Sequence, residues 1–262
     1  MKNGICLLLI VFLAACNSKP EKKLKEVLVF ESYFDAGKEG DKRLTEKNSY
    51  NEKGLLISEI RYNESGSEDY KNQYSYDSKN RKIKDVYTLH GACHSISEFH
   101  YQKNDSVSVI AVFKPTKEID FVIQSHYDQR GFNDADLSTK ADHSVYFRDE
   151  YKRDQSGRLD RWIRYNADDS IQAQVIYEYD KLNREIKNTC SGELGGTYSS
   201  KYNQKGLKSE ETAFNTDDGQ FLWLKVFSYD KSNRITQIVE YNNLKDRPKN
   251  PYKIVHYEYK FW

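Results

Sequence analysis

The residues best suited to chemistry are few. His90-Gly91-Ala92-Cys93-His94 gathers two imidazoles and a thiol in one short stretch, the donor types that hold zinc. A metal site wants further ligands fixed by their own hydrogen bonds. Only His100 and Cys190 are on offer, and only if the fold delivers them. His90, Cys93 and His94 are therefore weak metal candidates, and a solvated turn is the plainer reading. Asp168-Asp169 and Asp217-Asp218 are paired carboxylates. Paired acids serve glycoside hydrolysis or bind calcium, yet aspartate is also a common turn former. Cys93 and Cys190 either form a disulfide or stand as two separate thiols. Gly195-Gly196 lacks the lysine and following helix of a phosphate cradle. No nucleophile elbow, Walker loop, dinucleotide fingerprint or zinc-protease motif occurs. The expectation is a protein with no catalytic residues, no metal and no cofactor.

Composition agrees. The chain has 262 residues, with 41 basic and 40 acidic side chains for a net charge of +1. Acids and bases alternate throughout, so no basic stripe invites nucleic acid. Mean hydropathy is −0.89, too low for a polytopic helical membrane protein. Tyr 21 and Phe 12 against Met 1 favour sheet over helix.

The chain begins with Lys2, an apolar run over Ile5 to Leu13, and Leu13-Ala14-Ala15-Cys16. A charged start, a short apolar stretch and small residues before a cut mark a secretory signal. The run is too short to span a bilayer as a helix. Leu-Ala-Ala-Cys resembles the lipobox of bacterial lipoproteins. That resemblance implies cleavage after residue 15, lipidation of Cys16 (palmitate-type acyl chains) and a membrane partner reached through the anchor. Asn17 in place of Asp favours the outer membrane by the same analogy, with the membrane face open. Residues 1–15 are then a signal peptide, 16–25 the lipidated cysteine and tether, and 26–262 one β domain.

That domain is periodic. Tyr76-Asp77-Ser78-Lys79-Asn80-Arg81 matches Tyr179-Asp180-Lys181-Leu182-Asn183-Arg184 and Tyr229-Asp230-Lys231-Ser232-Asn233-Arg234. Looser copies begin at Tyr50, Tyr127 and Tyr202, degenerate ones at Tyr101 and Tyr151, and a truncated one at Tyr257. The nine tyrosines recur at 23 to 28 residues, about 26 on average. In each mark a strand ends in Tyr, and Asp or Asn starts a turn through its side chain. Asn or Gly then supplies the left-handed residue of a type I turn with a bulge. A second turn falls between marks, for example at Asn63-Glu64-Ser65-Gly66. Two turns per period give a β-hairpin repeat of about eighteen strands in all.

Alternation fits strands: Val175, Tyr177 and Tyr179 share one face, as do Val255, Tyr257, Tyr259 and Phe261. Both faces of Phe221 to Phe227 are apolar, which predicts cover on both sides. Charges such as Lys82, Lys84, Asp85, Lys208, Glu210 and Glu211 predict one wet face. Charge at these positions argues against a lipid-facing barrel, since each costs about 2–4 kcal/mol at the bilayer midplane. The expected fold is all-β, a long antiparallel meander that must curl, spiral or close into a barrel.

The Tyr-Asp-x-x-Asn-Arg marks resemble the YD repeats of the Rhs family. The resemblance covers most of residues 44–262 and implies the strand–turn–strand unit at Tyr76, Asp77, Asn80, Tyr179, Asp180, Asn183, Tyr229, Asp230 and Asn233. The toxin-enclosing shells of large members do not carry over, because the chain is far shorter and has no toxin tail. The functional expectation is an envelope lipoprotein that binds or scaffolds a protein or glycan partner. The alternatives are an envelope carbohydrate-active enzyme, a toxin-neutralising lipoprotein and a passive spacer.

Overall fold

The computed structural model describes residues 22–104, 106–193, 195–242 and 251–262. The signal peptide, Cys16 and the start of the tether lie outside the described residues. The rest is strand and turn, without a helix among the described residues.

Nineteen strands follow in chain order. The first is β1 (Leu24–Asp35), which begins within the stretch assigned to the tether, and β2 is only Lys38–Glu39. Then come β3 (Arg43–Tyr50), β4 (Leu56–Tyr62), β5 (Glu68–Tyr76), β6 (Lys82–Leu89), β7 (Ala92–Tyr101) and β8 (Val107–Phe113). β9 (Ile119–Tyr127), β10 (Asn133–Lys140), β11 (Val145–Arg153), β12 (Leu159–Asn166) and β13 (Ile171–Tyr179) continue the meander. β14 (Glu185–Gly192), β15 (Gly196–Tyr202), β16 (Lys208–Phe214), β17 (Phe221–Tyr229), β18 (Ile235–Tyr241) and β19 (Lys253–Phe261) complete it.

From β3 onward each strand pairs antiparallel with the next. β1 then pairs with both β3 and β19, with Val29 opposite Glu46 on one side and Tyr257 on the other. β2 only folds back on the end of β1. The result is a closed barrel of 18 strands, the closed member of the three expected outcomes. Closure removes the sheet edges that would otherwise template aggregation.

Tracing cross-strand partners round the ring sorts the side chains into two faces. One carries Tyr70, Tyr74, Tyr87, Phe99, Phe121, Phe147, Tyr151, Trp162, Tyr177, Tyr198, Trp223 and Tyr257, linked by pairs such as Tyr70 opposite Leu89 and Trp162 opposite Val175. This is the concave face: it carries most of the buried side chains, among them Val29, Val175, Ala213, Ser138 and Asp149, and burial there raises the phenol pKa of Tyr70 to about 12 and pushes those of Tyr151 and Tyr257 further up. The other face carries Lys71, Lys84, Glu98, Glu178, Lys187 and Lys201 at its middle and is solvated.

The charged-face expectation needs correction. Asp85 and Glu211 lie on the inner face by strand alternation, where Lys82 and Lys208 offset their charges. In β17 the cover is also uneven: Leu224 is buried on the outer face, whereas Leu222 is 41% exposed. Among the described residues, the largest fully buried side chains are only Ser32 and Ser138. Stability therefore comes from the ladder and neighbour packing around the wall rather than from a central core.

Candidate functional site

The repeat turns form one rim of the barrel. Asp77 shows how. Its Oδ1 accepts the backbone N–H of Lys79 and Arg81, each at 2.9 Å, and its Oδ2 accepts Arg81 Nε at 2.7 Å. The backbone closes with Asp77 N–H to Arg81 C=O and Asn80 N–H to Asp77 C=O, a type I turn with its bulge residue in the left-handed region. Asn80, Asn183 and Asn233 sit there at φ 65°, 62° and 61°. Asp180 with Arg184, and Asp230 with Arg234, repeat the pattern.

The tyrosines bind one repeat to the next. Tyr76 donates its hydroxyl to Leu56 C=O, Tyr101 to Lys82, Tyr127 to Val107, Tyr179 to Leu159, Tyr202 to Glu185 and Tyr229 to Lys208, all at 2.6–2.8 Å. In each case the acceptor is the first residue of the adjoining strand. The arginine of one turn lies over the tyrosine of the next: Arg81 on Tyr101 at 4.5 Å, Arg158 on Tyr179 at 4.9 Å and Arg184 on Tyr202 at 4.5 Å.

Two assigned marks are displaced. Tyr151 lies inside β11, and the position belongs to Arg153, whose Nη2 reaches Asn133 C=O at 3.5 Å. Tyr257 lies inside β19, and Tyr259 makes the equivalent bond to Ile235 C=O at 2.7 Å. A guanidinium can replace a phenol here because the position asks only for a long side chain with a terminal donor. The signal that would have found it is Asp154 with Arg158, the Asp and Arg of the mark, following Arg153 instead of a tyrosine.

The other sequence candidates do not converge. Cys93 is exposed on β7 and Cys190 is buried on β14. Those strands are not neighbours, so the considered disulfide does not form. His90 Nδ1 faces Asp69 at 3.4 Å, and the His94 ring packs on Tyr87 at 5.4 Å. Among the described residues, no group of three His, Cys, Asp or Glu could hold a metal ion. Asp168 caps its own turn through Ser170, and Asp218 does so through Gln220.

Sequence reasoning missed the inner wall. Asp149 is 4% exposed and accepts Arg164 through two bonds, Nε to Oδ1 at 2.8 Å and Nη2 to Oδ2 at 2.7 Å. Arg164 lies over Phe147 at 4.1 Å and Trp162 at 5.2 Å, and Tyr151 donates to Asp136 at 2.9 Å. A second tile joins Glu59 to Tyr70 and Tyr74, with Arg61 over Tyr70. A third places Lys253 3.0 Å from Glu31 and 4.0 Å from Glu240. Burial opposes the Lys253 charge, yet the two carboxylates hold its pKa above the ordinary lysine value. Tyr198 and Trp223 lie 6.0 Å apart. Most of these contacts join neighbouring strands, while Tyr198 reaches Trp223 across β16, and guanidinium groups cover part of the Phe147, Trp162 and Tyr70 rings. The alternation already quoted for β13 and β19 marks which residues share this face, but not that it is concave.

Ser32, His256 and Glu39 resemble a nucleophilic set but lack its geometry. Ser32 Oγ is 2.6 Å from Glu39 Oε1, and His256 Nε2 serves both Glu39 at 3.0 Å and Ser32 at 3.4 Å. A working base uses one ring nitrogen for the nucleophile and the other for the acid. Ser32 is also fully buried.

Fold and wall together define a closed antiparallel barrel of hairpin repeats with an aromatic, ion-paired interior. No family model and no curated protein matches the chain. Among solved structures it is similar to a chain of TcdB2-TccC3-TEV, at 13% identity and TM-score 0.41 over 87% of this chain and 14% of that one. It is also similar to a porin-like protein from Bacteroides uniformis, at 8% identity and TM-score 0.46 over 92% and 99% of the two chains. A third is the LolA superfamily protein NE2245 from Nitrosomonas europaea, at 10% identity and TM-score 0.26 over 93% and 88%.

Proposed function

We propose that this chain is an envelope lipoprotein and binding module, held by acyl chains on Cys16 and taking a glycan against its inner wall without chemistry of its own. The observation that carries the binding reading is the row of aromatic side chains on the inner face beside fixed ion pairs such as Asp149–Arg164. Aromatic faces stack on the C–H faces of sugars, while planar carboxylates and guanidinium groups bond hydroxyls. An apolar ligand would leave those charges unsolvated. The Leu-Ala-Ala-Cys sequence supports the anchor, because several acyl chains hold stably where one is marginal. The turn unit supports kinship with YD repeats.

The ligand test is affinity electrophoresis through gels containing soluble envelope polysaccharides. The parent protein should be retarded, and Trp162→Ala and Tyr198→Ala should each lose most of that retardation. No retardation by any polysaccharide, or equal retardation of the variants, overturns the glycan reading. The anchor test is labelled palmitate, which should enter the parent and not Cys16→Ser.

A further inference from the structure

We propose that the rim built by the Tyr-Asp turns docks on an anionic phospholipid surface, so that the barrel stands on the membrane with this end down. Three observations meet there. The first is charge. Exposed basic side chains sit on most turns of this rim: Lys53, Lys79, Lys103, Lys181, Lys205 and Lys231. The turn aspartates do not offset them outward, since Asp77, Asp180 and Asp230 are folded back onto backbone amides and their own arginines. In these turns Glu52 is the one exposed carboxylate among the described residues. The opposite rim is mixed among the described residues: Asp142, Asp168, Asp169, Glu193, Asp217 and Asp218 are exposed there, as are Lys38, Lys42, Lys114, Lys117 and Lys140.

The second observation is where the chain enters the barrel. Trp262 N–H bonds Lys23 C=O at 2.9 Å, so both the start of β1 and the end of β19 lie at the basic rim. Lys22, Lys23 and Lys25 are exposed beside it. A tether leaving Leu24 toward Cys16 starts from this end.

The third is apolar. Leu182, at the tip of its turn, is 70% exposed and Trp262 is 53% exposed. Lys25 Nζ lies 4.8 Å from the Trp262 ring. Indole beside lysine suits the headgroup layer, where the ring meets acyl chains and the ammonium meets phosphate. Basic residues within a Debye length of an anionic leaflet are each worth about fivefold in partitioning.

The inference concerns the rim alone and uses none of the inner-wall residues, so its failure leaves the glycan reading standing. The test uses the chain from Asn17 onward, without acyl groups, which contains every strand of the ring. It is sedimented with vesicles of phosphatidylcholine and phosphatidylglycerol, or of phosphatidylcholine alone. Binding should require phosphatidylglycerol and fall steeply between about 50 and 300 mM salt. The variant K53E/K79E/K205E/K231E, with unchanged far-ultraviolet circular dichroism, should bind more than about tenfold more weakly. Leu182→Ser, a milder change, should reduce binding about twofold or more. Trp262 emission, read in a Trp162→Phe/Trp223→Phe background, should shift to the blue on anionic vesicles only. Equal binding to both vesicle types, or a variant that binds like the parent, overturns the proposal.

Discussion

Arg81 and Tyr101 are coupled across two repeats. The guanidinium lies 4.5 Å from the ring centroid, and the same tyrosine donates to the carbonyl of Lys82, the residue after Arg81. One turn thus presents both the cation and the acceptor that fix the next. Tyr101→Phe removes only the hydrogen bond and should cost about 1 kcal/mol, since the carbonyl loses its partner. Urea denaturation measures it. A double-mutant cycle with Arg81→Ala should show a coupling of about 0.5–1 kcal/mol; a coupling of zero would make the stacking incidental.

Asn80, Asn183 and Asn233 occupy the left-handed region. Asn80 and Asn183 also accept Lys53 and Arg158, so the test is at Asn233: Asn233→Gly should be neutral or slightly stabilising, whereas Asn233→Val should cost about 1–2 kcal/mol. The order Gly ≥ Asn > Val in thermal midpoint is the check.

Acid should loosen the rim first. Backbone amides and Arg81 hold the Asp77 carboxyl below its usual range, and Arg184 with the backbone does the same for Asp180. A folded pKa below the unfolded value means the stabilisation is complete above about pH 4 and is lost as pH falls through the lower, folded value. Asp77→Asn/Asp180→Asn should therefore flatten the stability profile below about pH 4 while leaving its shape near neutrality unchanged. Identical acid limbs for parent and variant would refute this.

On the inner wall Arg164 is paired with Asp149, whose side chain is only 5% exposed. Arg164→Met leaves an uncompensated carboxylate and should destabilise by about 3–5 kcal/mol. Adding Asp149→Leu should recover part of that loss, because it removes the stranded charge. A double variant no more stable than the single one would argue against the electrostatic account.

Cys93 is exposed and Cys190 buried. A maleimide probe should label Cys93 in the native protein and Cys190 only in denaturant, as mass spectrometry of the digested protein would report.

The hairpin rhythm was readable because Asp, Asn and Tyr leave turn-specific chemistry at fixed spacing. Asp77 and Asn80 do locally what their types suggest. Arg153 and Tyr259 escaped because the ladder selects reach and a donor at a position, and a search on tyrosine alone finds Tyr151 and Tyr257 instead. Closure was left open for another reason. It depends on Val29 meeting both Glu46 and Tyr257, contacts between chain ends that no local pattern encodes. The inner wall was hidden likewise: alternation groups Tyr151, Trp162 and Arg164 on one face, but only curvature decides that this face is enclosed.

The seam between β1 and β19 has an arithmetic consequence. An antiparallel ring closes only with an even number of staves, so its girth cannot grow or shrink by one. Whole hairpins are the smallest increment. A gene duplication of one period would widen the cylinder with the seam intact, and deletion of half a period would force two strands to run the same way, so that closure would need a parallel pair in place of the antiparallel seam.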